Sequence, residues 1–157
     1  MKEFNITVPV VELSYDELTA EERRLVDEAR GATHRSYAPY SHFHVGAAIL
    51  LSNGEVVTGA NQENAAFTVG TCAERSACFY AGARHPEARF VEIAVAARGT
   101  DGKEVSDPVA PCGACRQALV EYEVLAGHDV PLLLVGKDRI FRLPSVRSSL
   151  PLAFSEF

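Results

Sequence analysis

Two short motifs carry the residue types best suited to chemistry. They are Thr71-Cys72-Ala73-Glu74-Arg75 and Pro111-Cys112-Gly113-Ala114-Cys115. A helix is expected to begin at each, so three cysteines stand at two helix N-termini, where the helix dipole favours an anionic sulfur. The i, i+3 spacing puts Cys112 and Cys115 on one side of a first turn. Three thiolates make a zinc pocket whose fourth tetrahedral position stays open to water, the arrangement of a catalytic zinc. Glu74, two residues after Cys72, falls beside such a metal without being an obvious ligand. A carboxylate there can take a proton from water and return it to a substrate.

A Cys-x-x-C pair alone serves redox exchange as readily as metal binding. A dithiol couple, however, needs neither a third thiol nor an adjacent acid, so metal is preferred. A closed four-cysteine site would need Cys78, which faces elsewhere on its helix and reads as buried apolar filler. The five histidines show no helical ligand pair, and His42 and His44 simply flank Phe43 in an expected strand.

The elements that must position these residues follow from the patterning. Residues 4–8 alternate with period two and read as a short strand ended by Pro9. Thr19 and Glu22 form a capping box for a helix running to about Arg35. Residues 43–51 and 55–60 flank Asn53-Gly54 as a hairpin. Thr71 is expected to cap a second helix ending near Arg84, and Pro111 to open a third that runs from Cys112 to about Val124. Residues 90–97 read as a buried central strand, with further strands at 132–135 and 139–143. The expectation is one α/β domain over residues 1–157, a three-layer α/β/α stack on a mixed five-stranded sheet, with residues 1–13 as an N-terminal extension.

Composition narrows the function classes. Hydrophobic residues make up 47% and charged residues 23%, with a formal net charge of -6. No Lys/Arg run exceeds Arg23-Arg24, which disfavours a nucleic-acid partner. The apolar stretches are too short to span a bilayer and the N-terminus has no signal-peptide pattern, so a cytoplasmic enzyme with a small neutral substrate is expected. Four cysteines in such a chain point to metal or catalysis rather than to disulfides.

With both cysteine motifs in place, the chain resembles the small, homotetrameric, zinc-dependent cytidine deaminases, whose recognised signature is a His or Cys, then x-E, then P-C-x-x-C. The resemblance runs from about Leu25 to Phe154. It rests on the two motifs together with Tyr40-Ser41-His42-Phe43-His44-Val45-Gly46-Ala47-Ala48, Asn61-Gln62-Glu63-Asn64-Ala65-Ala66, Arg116-Gln117 and Leu150-Pro151-Leu152-Ala153-Phe154.

The resemblance implies hydrolytic deamination of cytidine and deoxycytidine in pyrimidine salvage, with one Zn²⁺ per chain on Cys72, Cys112 and Cys115 and with Glu74 as proton shuttle. It also implies that Asn61 and Glu63 hold the ribose 3′-hydroxyl, that Phe43 lies against the pyrimidine, and that the Ala73 N–H meets the ring carbonyl. Phe154 would enter a neighbouring subunit's site. Zinc with three thiolates carries a formal negative charge, which Arg75 would offset by donating to the sulfurs. Two departures stand out: Phe67 replaces the family's usual Tyr, and the segment 121–130 is longer than expected. A deaminase of an unusual cytosine nucleoside would share both cysteine motifs, although the Asn61/Glu63 pair favours a ribose. A non-catalytic zinc or redox module is the rival from another class.

Overall fold

The structure is a computed structural model that describes residues 1–155. Its sheet has six strands in the order β1-β6-β5-β4-β2-β3. The strands are β1 (Val11–Leu13), β2 (His44–Leu51), β3 (Val56–Ala60), β4 (Phe90–Arg98), β5 (Leu132–Val135) and β6 (Ile140–Leu143). Three helices cover it: α1 (Ala20–Ala32), α2 (Ala73–Arg84) and α3 (Gly113–Ala126).

Alternation along the central strands explains why both faces are covered. Ala47, Ile49, Ile93, Val95, Leu132 and Leu134 pack with the α2 and α3 side chains in one core. The intervening Ala48, Leu50, Ala94, Ala96, Leu133 and Val135 pack with Leu25, Val26 and Ala29 of α1 in the other. A strand buried on both faces reads as a continuous apolar run, which is how residues 90–97 appear in the sequence.

The expected five-strand count is corrected to six. The alternation of Phe4, Ile6 and Val8 leads to no pairing: residues 1–10 form no strand and are exposed. The N-terminal strand is instead Val11–Leu13, antiparallel to β6, and three residues are too few to show a period. The first helix also stops early: α1 ends at Ala32, and Thr33–Arg35 tightens into a 3₁₀ turn.

The chain path decides where the helices start. β4 and β5 are parallel, and β3 and β4 both run antiparallel to β2 between them, so β3, β4 and β5 share one direction. α2 and α3 are the crossovers β3-α2-β4 and β4-α3-β5. Such crossovers are right-handed, and two that step the same way lay their helices on one face. Each helix therefore begins beyond the C-terminal end of a parallel strand, at the same edge of the sheet, where open α/β sheets bind ligands. Gly59 lets α2 come close: a Cβ there would stand 2.5 Å from the Ala73 carbonyl oxygen and from the Ala77 nitrogen.

On the α1 side, Glu92 of β4 is buried near the ion pair of Glu22 with Arg142. Burial, with Glu22 and Glu21 nearby, pushes its carboxyl up to about 7 although Arg142 opposes this. A raised carboxyl favours folding below its unfolded pKa, and that contribution is lost as pH rises from about 4.5 through 7. Glu92→Gln should therefore unfold at a higher denaturant concentration than the parent at pH 8, by about 2–3 kcal/mol, and match it at pH 4.5. Parallel denaturant titrations at the two pH values check this, and an equal effect at both would contradict it.

Candidate active site

Cys72 and Cys112 are themselves the N-cap residues of α2 and α3, with extended backbone at φ -75°, ψ 157° and φ -66°, ψ 164°. Thr71, expected as the cap, lies one residue outside. Neither cysteine side chain makes the usual capping hydrogen bond, so both sulfurs are turned to other use. Cys115, one turn into α3, is fully buried.

The three Sγ atoms all lie within 4.8 Å of one another. Cys72 and Cys112 are 4.0 Å apart, and Cys112 and Cys115 are 3.5 Å apart. Tetrahedral zinc with Zn–S bonds of about 2.3 Å separates its sulfurs by about 3.8 Å, close to the two separations given, so the trio suits the ion. Soft thiolates also favour zinc over hard cations. Cys78 stands apart: burial pushes its thiol up to about 12 and its Sγ points to the Arg75 carbonyl.

The electrostatics show what such a cluster lacks. A hydrogen bond from Cys115, with help from Arg75 and Cys112, pulls the Cys72 thiol down to about 5 against burial. The same pairing and burial push Cys115 up. Arg75 donates to Cys72 Sγ at 3.8 Å, while its buried Nε has no partner among the described residues. One guanidinium thus serves two sulfurs, Cys72 and Cys115. Three thiolates this close repel one another, and a cation between them would relieve that repulsion.

Glu74 sits in the first turn of α2 with only 4% of its surface exposed. Burial raises its carboxyl and the Cys72 charge adds to this, while a hydrogen bond with Cys115 opposes it. Ala73 is fully buried at the first helical position, where a backbone N–H has no intrahelical acceptor.

A cavity of about 480 Å³ opens beside Cys72, and Tyr40, Asn61, Glu63, Phe67 and Thr71 line it. It unites Cys72 with the two expected sugar-binding residues and with Phe67, whose ring is 88% exposed. Asn61 acts like an extra strand residue: its Oδ1 accepts from the Val45 N–H at 2.8 Å and its Nδ2 donates to the Phe43 carbonyl at 3.0 Å. One Nδ2 hydrogen is left for a ligand. Glu63 Oε2 accepts from the Tyr40 and Ser41 N–H groups at 2.9 and 3.2 Å. The Ser41 side chain, with these backbone bonds, holds the carboxyl below its ordinary value.

Phe43 precedes β2 rather than lying within it and does not line the cavity. Its N–H reaches Ser41 Oγ at 3.1 Å, after His42 at φ 55°. Phe154 is 70% exposed, also outside the cavity, with its carbonyl held by Gln117 Nε2 at 2.7 Å. Sequence reasoning missed Tyr40 and Ser41, which act on Glu63 largely through backbone N–H groups that no residue type advertises.

The family model described as "Cytidine and deoxycytidylate deaminase zinc-binding region" matches residues 19–126. A cytidine deaminase of Sporosarcina psychrophila is 38% identical over 136 residues, covering 85% of this chain and 90% of that one. One from Halalkalibacterium halodurans is 44% identical over 97 residues, covering 62% and 68%. Among solved structures, the cytidine deaminase of Burkholderia pseudomallei superposes with a TM-score of 0.71 at 37% identity, covering 87% of this chain and 100% of its own. That of Mycobacterium tuberculosis gives 0.67 at 31% identity, covering 87% and 98%. With a family match over most of the chain and a relative 38% identical over 90% of its own length, the chain belongs to the cytidine deaminase family of hydrolases.

Proposed function

We propose that this chain converts cytidine and deoxycytidine, with water, to uridine and deoxyuridine and ammonia, as one catalytic domain serving pyrimidine salvage in the cytoplasm. The observation that carries this reading is the meeting of three sulfurs, one buried carboxyl and one sugar-sized cavity at a single sheet edge. Among the described residues no helix is long and apolar enough to cross a membrane.

Cys72, Cys112 and Cys115 would hold one zinc ion, which when bound supplies the Lewis acidity that makes water nucleophilic near neutral pH. Glu74 then carries the protons. Attack at C4 frees one proton from the incoming water for ring N3, and the hydroxyl so added to C4 gives up a second for the departing amine. A buried carboxyl whose pKa burial raises is a stronger base than an exposed one and can return the proton it takes, so one residue serves both relays. The Ala73 N–H would fix the ring carbonyl and Phe43 would bear on the ring. Asn61 Nδ2 and the remaining oxygen of Glu63 would donate to and accept from the 3′-hydroxyl, which does both. Arg75 would draw charge from the sulfurs.

A homotetramer is part of this reading. Phe79, Tyr80, Leu125 and Leu152 are large apolar side chains left exposed on the chain, the kind of surface that a second copy covers. Phe154 would complete a neighbour's cavity, and Phe67 would sit near that junction without the hydroxyl its relatives carry.

Three outcomes test the reading. Elemental analysis should find one zinc per chain in the parent and in Cys78→Ala, and little in Cys112→Ala; full retention in the last would remove that ligand. Glu63→Gln should keep its zinc but show a KM for cytidine about ten- to a hundredfold higher, the loss of a charged hydrogen bond. Equal kcat/KM for cytosine and cytidine would contradict a role for the sugar. Glu74→Gln should fold, keep zinc and bind cytidine while kcat falls by ~10⁴ or more. A zinc-loaded variant within about tenfold of the parent, well short of a general acid–base contribution, would move the proton shuttle elsewhere.

A further inference from the structure

Next to Cys115, two residues of α3 turn away from the sulfurs toward the C-terminal segment. Arg116 donates from Nε to the Pro111 carbonyl and from a terminal nitrogen to the Ser149 carbonyl, both at 2.7 Å. Gln117 reaches the Phe154 carbonyl. Pro111 is buried and immediately precedes Cys112, so one guanidinium joins the turn that presents two sulfurs to the segment that carries Phe154.

What surrounds this link isolates it. Further along α3, the buried Glu123 accepts from the Val130, Val146 and Arg147 N–H groups at 2.8–2.9 Å. That clamp fixes the chain as far as Arg147 without touching the sulfur turn. Beyond it, Ser149 and Leu150 close a 3₁₀ turn by donating to the Val146 and Arg147 carbonyls, and Leu150 and Ala153 lie on the core beneath α2 and α3. Arg116 and Gln117 are α3 side chains that donate hydrogen bonds to residues 149–154.

We propose that Arg116 is a positioning residue that couples metal occupancy at the Pro111–Cys115 turn to the order of the C-terminal segment, so that a chain presents Phe154 firmly only when its own metal centre is filled. This rests on the reading above, in which the turn binds zinc and Phe154 serves a neighbour. A cation fixes Cys112 and Cys115, and with them the Pro111 carbonyl. Arg116 is then held at one end, and its other donor meets the Ser149 carbonyl without further loss of side-chain freedom. Releasing the cation frees the turn, and the guanidinium must hold the segment from a mobile base. Such coupling is reciprocal: whatever factor the metal contributes to the segment, the segment returns to the metal.

The test is amide exchange in the full-length protein, zinc-loaded and after stripping with a chelator. In the parent, removing zinc should speed exchange at Ser149 and Leu150 about tenfold, the low end of a charged hydrogen bond's worth. In Arg116→Met, which keeps the aliphatic stem, exchange at both should be fast and respond to zinc less than about twofold, and zinc should pass to the chelator about tenfold more readily. Arg116→Lys, with a charged donor but no fork, should fall between. Gln117→Ala, which leaves Arg116 and its two carbonyls in place, should keep exchange at Ser149 and Leu150 slow and keep their zinc response. Exchange at Ser149 and Leu150 that ignores zinc in the parent, or a zinc response that survives in Arg116→Met, would overturn the coupling alone. A parent chain that takes up no zinc would overturn the metal reading and the coupling with it.

Discussion

Three thiols within 4.8 Å of one another form an arrangement that a protein cannot fully ionise by itself. The first negative charge settles on Cys72, where Cys115 and Arg75 support it; each further charge meets the one before it at close range in a partly buried place. The rest of the site depends on this frustration. It explains why Arg75 faces the sulfurs and why both helix N-termini point their dipoles at them. The topology then does the assembling: parallel strands, and crossovers that step the same way, bring Cys72 and Cys112 together as the caps of neighbouring helices although they are distant in sequence.

The same N-terminal turn of α2 that offers Cys72 also buries Glu74 and presents the first backbone N–H of the helix at Ala73. In the proposed reaction, metal ligand, proton carrier and a donor for the ring carbonyl would come from three consecutive residues, so their spacing is set by helix geometry rather than by side-chain choice. Gly59 contributes by its lack of a side chain, which allows β3 to lie against that turn. The opposite wall is softer. The loop before β2 keeps its shape through Glu63 Oε2 and Asn61, the residues assigned to the sugar. Each holds the loop and has one polar position left, which the proposed function gives to the ligand.

Much of this was legible in the residues. The cysteine spacing, the acid beside it and the apolar run at 90–97 each have a local cause, and local causes show in sequence. The strand expected at residues 4–8 had the right alternation, yet a strand exists only with a partner, and β6 pairs with Val11–Leu13 instead. The capping roles of Cys72 and Cys112 were hidden because cysteine is not a usual cap. The hydrogen bonds of Glu63 to Tyr40 and Ser41, and of Arg116 to Pro111 and Ser149, depend on which carbonyls and N–H groups the fold brings near, and a one-dimensional pattern carries no trace of that.

The central claim is that the sulfurs of Cys72, Cys112 and Cys115 close around one zinc and leave one position to a light atom. X-ray absorption at the zinc edge of the purified, metal-loaded protein reads this directly. The account predicts three sulfur scatterers at about 2.3 Å and one oxygen or nitrogen at about 2.0 Å. Four sulfur scatterers would make the site a closed structural one, and a shell of nitrogen and oxygen alone would place the metal somewhere else on the chain.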